Sequence, residues 1–150
     1  MLTVYGVVRS DLLLGVKELV RIPASVASGA GGHVVADADV SVVVLADNAL
    51  ADSSVWPWRQ KSQGYVVASS AHGPTLKSHL RGLRRLQDDD GRWRAWPWFD
   101  PRYLRLALCA LEGQALKALC GPVACFGLLH EGVLELIELD GQLARFKSVS

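Results

Sequence analysis

Four histidines, three cysteines and a run of three aspartates are the residues of this chain that could do chemistry. His33, His72, His79 and His130 are spaced so that only His72 and His79 could share a helix face, and Gly73-Pro74 lies between them. A metal site would need carboxylates drawn from elsewhere, and no spacing marks them. Cys109, Cys120 and Cys125 include no C-x-x-C, and their odd number argues against a disulfide framework or a zinc site. Buried free thiols in a reducing compartment are expected. Cys125 with His130 would make a thiol–imidazole pair, yet Cys125 stands in an apolar run where a thiolate is disfavoured. Asp88-Asp89-Asp90 could bind a divalent cation, but aspartates between a basic segment and a glycine read as a solvated turn. The glycine-rich SGAGG at 28–32 lacks the Lys-Ser/Thr and helical run of a phosphate cradle. Serine-hydrolase, zinc-protease and nucleotide-binding signatures are absent. The reading is therefore a binding protein, not an enzyme, with no catalytic residue, metal or cofactor. A small metal-independent enzyme, with a site in the 24–39 segment or around His72, is a weaker alternative.

Recognition is the chemistry that remains. The triplet WPW occurs twice, at Trp56-Pro57-Trp58 and Trp96-Pro97-Trp98, the second running into Phe99-Asp100-Pro101-Arg102. Tryptophan, tyrosine and arginine are the residue types that dominate binding energy at interfaces. Candidate partner-binding residues are Trp56, Trp58, Arg81, Arg84, Arg85, Trp96, Trp98 and Arg102. Trp56 and Trp58 lie in a connector and are the better candidates for exposed aromatic contacts. Arg81, Arg84 and Arg85 would suit an acidic segment, or would simply be a solvated helix face. The second cluster has two readings as well: alternate aromatics packed on the core, or a patch gripping a partner beside Arg92, Arg94 and Arg102.

Charge narrows the partner. A formal net charge of +1 favours neither nucleic acid nor an anionic membrane. Locally, however, eight basic residues stand against four aspartates between Lys77 and Arg105. The N-terminus lacks a charged n-region and is interrupted by Arg9 and Asp11, so it does not read as a signal peptide. No apolar run approaches the roughly 18–20 residues of a membrane span. A cytoplasmic protein is expected.

The elements that must position these residues read as follows. Residues 3–8 form a strand, with a helix from Ser10 or Asp11 to about Val20. A glycine-rich loop over 24–39 precedes a doubly buried strand at 40–46, a connector and a strand at 64–70. Gly73-Pro74 opens a helix whose stripe is Leu76, Leu80, Leu83 and Leu86, ended by the turn at 88–91. Residues 92–99 alternate as an edge strand. Asp100 caps and Pro101 begins the next helix; a shorter one ends at Gly121-Pro122. Runs at 123–129 and 133–139, joined by His130-Glu131-Gly132, read as a hairpin or two sequential strands. This interleaving predicts an α/β (α+β) fold, a mixed β-sheet flanked by helices, in a single domain over 1–150 of one or two lobes.

The series HLRGLRRL, DDDGRW, WFDPRYL and LCGPV resembles a family of adaptor/chaperones of bacterial type VI secretion systems, a domain of unknown function. Leu80, Arg81, Leu83, Arg84 and Leu86 fill its leucine/arginine helix; Trp98 to Arg102 fill its aromatic-Asp-Pro-Arg junction; Gly121-Pro122 fill the last motif. The likeness covers about residues 56–128. One departure is Trp96-Pro97 standing where the family carries an arginine. The resemblance implies a non-enzymatic protein of a Gram-negative cytoplasm. Such a protein binds a cognate toxin effector, keeps it soluble and loads it onto the VgrG-type spike protein. An immunity-like protein that neutralises the toxin is the alternative within this reading.

Overall fold

A computed structural model describes residues 1–24, 38–87 and 90–149. Most of the expected 24–39 loop, with SGAGG and His33, lies outside the described residues, as do Asp88 and Asp89. Seven strands form one sheet: β1 (Thr3–Arg9), β2 (Val20–Ile22), β3 (Val40–Leu45), β4 (Tyr65–Ser69), β7 (Val123–His130), β8 (Val133–Asp140) and β9 (Leu143–Val149). Their order is β2-β3-β1-β4-β7-β8-β9, and every pairing is antiparallel. A two-stranded ribbon, β5 (Arg85–Gln87) with β6 (Trp93–Ala95), stands apart. The helices are α1 (Gly73–Gly82), α2 (Pro101–Ala110) and α3 (Gly113–Cys120).

The α+β class read from the sequence is the class the chain adopts, and its sheet is antiparallel rather than mixed in direction. The reason is where the helices fall. All three, and the ribbon, lie in the one connection between β4 and β7, which are themselves sheet neighbours. No helix is therefore a crossover between parallel strands. Among the described residues no helix is long and apolar enough to cross a membrane.

The two faces of the sheet carry separate cores. Alternate strand residues Tyr5, Val7, Val40, Val42, Tyr65, Val67, Phe126 and Ile137 meet the inward helix residues Leu76, Leu80, Leu104, Leu108, Leu116 and Leu119. On the other face Val4, Val8, Val66 and Leu134 are covered by Leu12, Ala49, Trp56 and Trp58, which belong to irregular connectors. Burial on both faces explains why β4 is apolar at successive positions.

Four expectations about elements are corrected. The helix over 10–20 is one short 3-10 turn at Ser10–Leu12. Beyond it, Leu14 N–H donates to the Pro57 carbonyl (3.3 Å) and Arg59 N–H to the Leu12 carbonyl (3.1 Å), while Leu13 bridges Trp58. Pairing with the first WPW has displaced the helix. α1 stops at Gly82, and Leu86 belongs to β5 opposite Arg94. The strand over 92–99 is limited to β6: Trp98 N–H bonds the Trp96 carbonyl (2.8 Å) and Asp100 N–H the Pro97 carbonyl (3.0 Å), so the second WPW is a turn. β9 is a strand additional to those read from the sequence; it pairs with β8 along its length.

Candidate partner-binding surface

Trp56 and Trp58 are not surface contacts. Each is 1% exposed, and their rings sit 5.0 Å apart at 31°. The Trp56 indole N–H donates to the Ala49 carbonyl (2.9 Å). Trp58 lies so close over β1 that a Cβ built on Gly6 would stand 2.8 Å from its Cζ3, and one on Gly64 would stand 2.7 Å from its Cε2. Only glycine admits the ring at that distance. The pair plugs the connector-side core, so a connector position gave no exposure here.

Trp98 is also internal, 1% exposed and edge-on to Phe99 at 6.0 Å and 83°. Its carbonyl accepts from the Tyr65 hydroxyl (3.4 Å), whereas its indole N–H meets no acceptor among the described residues. Trp96 is half-buried and donates its indole N–H to the Leu83 carbonyl, which ties the second WPW to the end of α1. Three of the four candidate tryptophans are thus core, and the fourth is mostly structural.

The arginines behave differently. Arg81 and Arg85 are exposed, and Arg84 is half-buried, its guanidinium donating to the Arg81 carbonyl (3.2 Å) and the Pro23 carbonyl (3.3 Å). Arg102 is exposed and ion-paired to Asp100 at 2.7 Å. Asp100 caps α2 by accepting from the Arg102 backbone N–H (3.0 Å), with Pro101 at the first turn. The hydrogen bond to this carboxylate raises the Arg102 pKa above its usual value.

The structure brings forward three side chains absent from the sequence-derived set. Trp93 on β6 is the exposed tryptophan, at 64%. Gln87 faces Trp93 and Arg85 faces Ala95, so Arg85, Gln87 and Trp93 share one face of the ribbon. On α2, Leu104 and Leu108 turn inward while Tyr103 and Leu106 remain exposed next to Arg102. Pairing parity would have found Trp93 had the end of α1 been placed correctly.

A cavity of about 480 Å³ opens between α2, the β7–β8 turn and the 3-10 turn at Lys61–Gln63. Leu106 and Leu129 give it apolar walls; Arg102, Arg105, His130, Glu131, Ser62 and Gln63 line the rest. Arg105 is held in place by a fork to Glu135 on β8, Nε at 2.9 Å and Nη2 at 3.4 Å, and lies 5.3 Å from the Phe146 ring centroid. The bond to Glu135 raises its pKa, so it remains a fixed cation. His130 Nε2 is 3.9 Å from the Glu131 carboxylate. Two arginines, neutral donors and a leucine wall suit an acidic side chain or carboxylate flanked by apolar groups.

The remaining chemistry-bearing residues are dispersed. No group of three His, Cys, Asp or Glu among the described residues could hold a metal ion. Cys125 is buried and its thiol is pushed up to about 11, chiefly by burial; Cys120 is raised by the same cause. Cys109 departs from the expectation of buried thiols: it sits on the outer side of α2, exposed. His79 is half-buried, bonded through Nε2 to the Leu119 carbonyl at 2.9 Å, and burial lowers its pKa. Compared with protein-family models, curated proteins and solved structures, the chain has no match.

Proposed function

We propose that this protein is a non-enzymatic cytoplasmic adaptor. In this reading it binds a cognate toxin effector of a type VI secretion system, keeps it soluble and loads it onto the VgrG-type spike protein. The observation that carries the reading is the set of exposed apolar side chains standing beside arginines. Trp93 shares a face with Arg85, and Tyr103 and Leu106 accompany Arg102, all within the segment whose motifs resemble the adaptor family. Such residues are the usual anchors of an interface, and covering them would also shield an aggregation-prone segment of the effector. The cavity beside Leu106 supports the same reading by offering fixed cations to an acidic group of the partner.

The test is co-expression with the toxin encoded beside its gene, followed by size-exclusion chromatography with light scattering. A stoichiometric complex that raises the toxin's soluble yield and captures the spike protein is expected. Trp93→Ala and Leu106→Ala should each weaken it by roughly tenfold or more without unfolding the adaptor. Toxin neutralisation without spike capture would replace this reading with immunity, and absence of any complex would overturn both.

A further inference from the structure

The sheet ends in an open edge at β9. All seven residues of this strand pair inward with β8, from Asp140 with Leu143 to Leu134 with Val149. No described strand pairs with its outer side. Alternate residues along roughly 23 Å therefore present N–H and C=O groups outward. The opposite edge, β2, has only three residues. Among the described residues β9 is thus the one long edge of the main sheet.

Its side chains divide by face. Ala144 and Phe146 turn to the helix side and pack against the core with Leu111. Arg145 and Lys147 turn to the other side, both exposed. Arg145 reaches back to Glu138 at 3.2 Å and Asp140 at 4.0 Å. Lys147 faces Leu136 in the register and makes no ion pair among the described residues. An added strand would therefore meet Lys147 and the ion-paired Arg145 between Leu143 and Val149 on one face, and a half-buried phenylalanine on the other.

We propose that β9 is a docking edge for an extended segment of a partner protein, with acidic side chains alternating with apolar ones. The segment would join as an eighth strand. Its carboxylates would lie opposite Arg145 and Lys147, and its apolar side chains would extend the helix-side core past Ala144 and Phe146. A second copy of this chain is a poor occupant. Two β9 strands meeting about a two-fold axis centred on Phe146 would place Arg145 against Lys147 twice. Centring on Arg145 or Lys147 would set that cation against itself. Like charges directly opposite are unfavourable, so the pattern that selects an acidic strand also disfavours self-pairing in these three registers, the ones that overlap most of the strand. The inference rests on the strand edge itself and does not depend on the adaptor reading.

The experiment titrates the whole isotope-labelled protein with a short synthetic peptide alternating glutamate and valine, and with its lysine–valine counterpart. Affinity is read by calorimetry and location by backbone amide shifts and hydrogen exchange. The acidic peptide should bind roughly tenfold or more tightly than the basic one, and amides of 143–149 should gain protection. Lys147→Glu, at an exposed position whose loss leaves the fold intact by circular dichroism, should reverse the preference; Lys147→Ala should only reduce it. Equal binding of the two peptides overturns the proposal. So does failure of the acidic peptide to bind, protection confined to residues outside β9, a preference unchanged by Lys147→Glu, or a dimer that pairs through β9.

Discussion

Replacing Trp58 by alanine should strongly destabilise this protein, whereas replacing Trp93 should leave its stability almost untouched. Trp58 is 1% exposed and Trp93 64% exposed. Deleting a buried tryptophan costs about 3–5 kcal/mol, including the void left behind. The void here is bounded by β1 at Gly6, by Gly64 and by Trp56, whose ring is 5.0 Å away. The β1 backbone at Gly6 is held in the sheet and cannot collapse inward, which places the cost toward the upper end. The long contact from the Trp58 indole N–H to the Lys61 carbonyl, 3.4 Å, adds little. A domain of this size is stable by about 5–15 kcal/mol, so the variant would retain a fraction of the original margin. Trp93→Ala should fall within about 0.5 kcal/mol of wild type. Urea unfolding followed by far-UV circular dichroism measures both, with Trp58→Ala lowering the midpoint by roughly 2 M for a slope near 2 kcal/mol/M. A Gly6→Ala variant adds a second arm. Its Cβ would stand 2.8 Å from Trp58, so it should be costly in wild type and better tolerated once Trp58 is alanine. A cost below about 1 kcal/mol for Trp58→Ala, or additive behaviour of the two substitutions, would refute the plug.

Three further outcomes follow from the same contacts. His79 titrates below a histidine's usual 6.5, mainly because it is buried. Its stabilising contribution is therefore full above that value and declines as pH falls through the folded-state pKa. Urea midpoints should drop as pH falls below about 6.5 in wild type, and less so in His79→Gln. Native protein should show one fast-reacting thiol toward Ellman's reagent, Cys109, with Cys120 and Cys125 reacting only on unfolding; fast labelling of Cys125 in the folded state would contradict its burial. Asp100→Ala removes the α2 cap and should cost about 1 kcal/mol in the same urea assay, with no loss expected if the carboxylate is merely a surface partner of Arg102.

Local chemistry was legible wherever a residue's role is set by its near neighbours. Asp100-Pro101 starts a helix because cap and proline act within one turn, and Gly121 ends one because its φ of +51° is a conformation that side chains resist. The strands at 3–9, 40–45 and 65–69 followed from pattern alone, and of the two readings left open for the runs around His130-Glu131-Gly132 the chain takes the hairpin. What could not be read was which partner each apolar segment would find. Leu12 and Leu13 satisfy a helical stripe, but the connector-side core needed covering, and they pair with the first WPW instead. The interleaving of strands with helices suggested crossovers, yet one long connection holds every α-helix among the described residues. Tertiary competition, not weak local signal, decided both.

The tryptophans make the same point more sharply, because identical triplets took unlike geometries. At Trp56-Pro57-Trp58 the two rings converge in one core; at Trp96-Pro97-Trp98 the chain turns, and Trp98 enters the helix-side core while Trp96 packs at its margin, bonded to the end of α1. A tripeptide cannot encode that difference, since its environment supplies it. Trp93 was hidden for a related reason. With Leu86 assigned to the stripe of α1, no strand remained to pair with 93–95, and nothing distinguished the two faces of that segment. Ending α1 at Gly82 supplies the partner strand, and opposition of Gln87 to Trp93 then places the ring beside Arg85 on the open face. The misplaced helix end and the missed surface aromatic are one error. The exposure of Trp93 beside Arg85 therefore depends on where α1 stops.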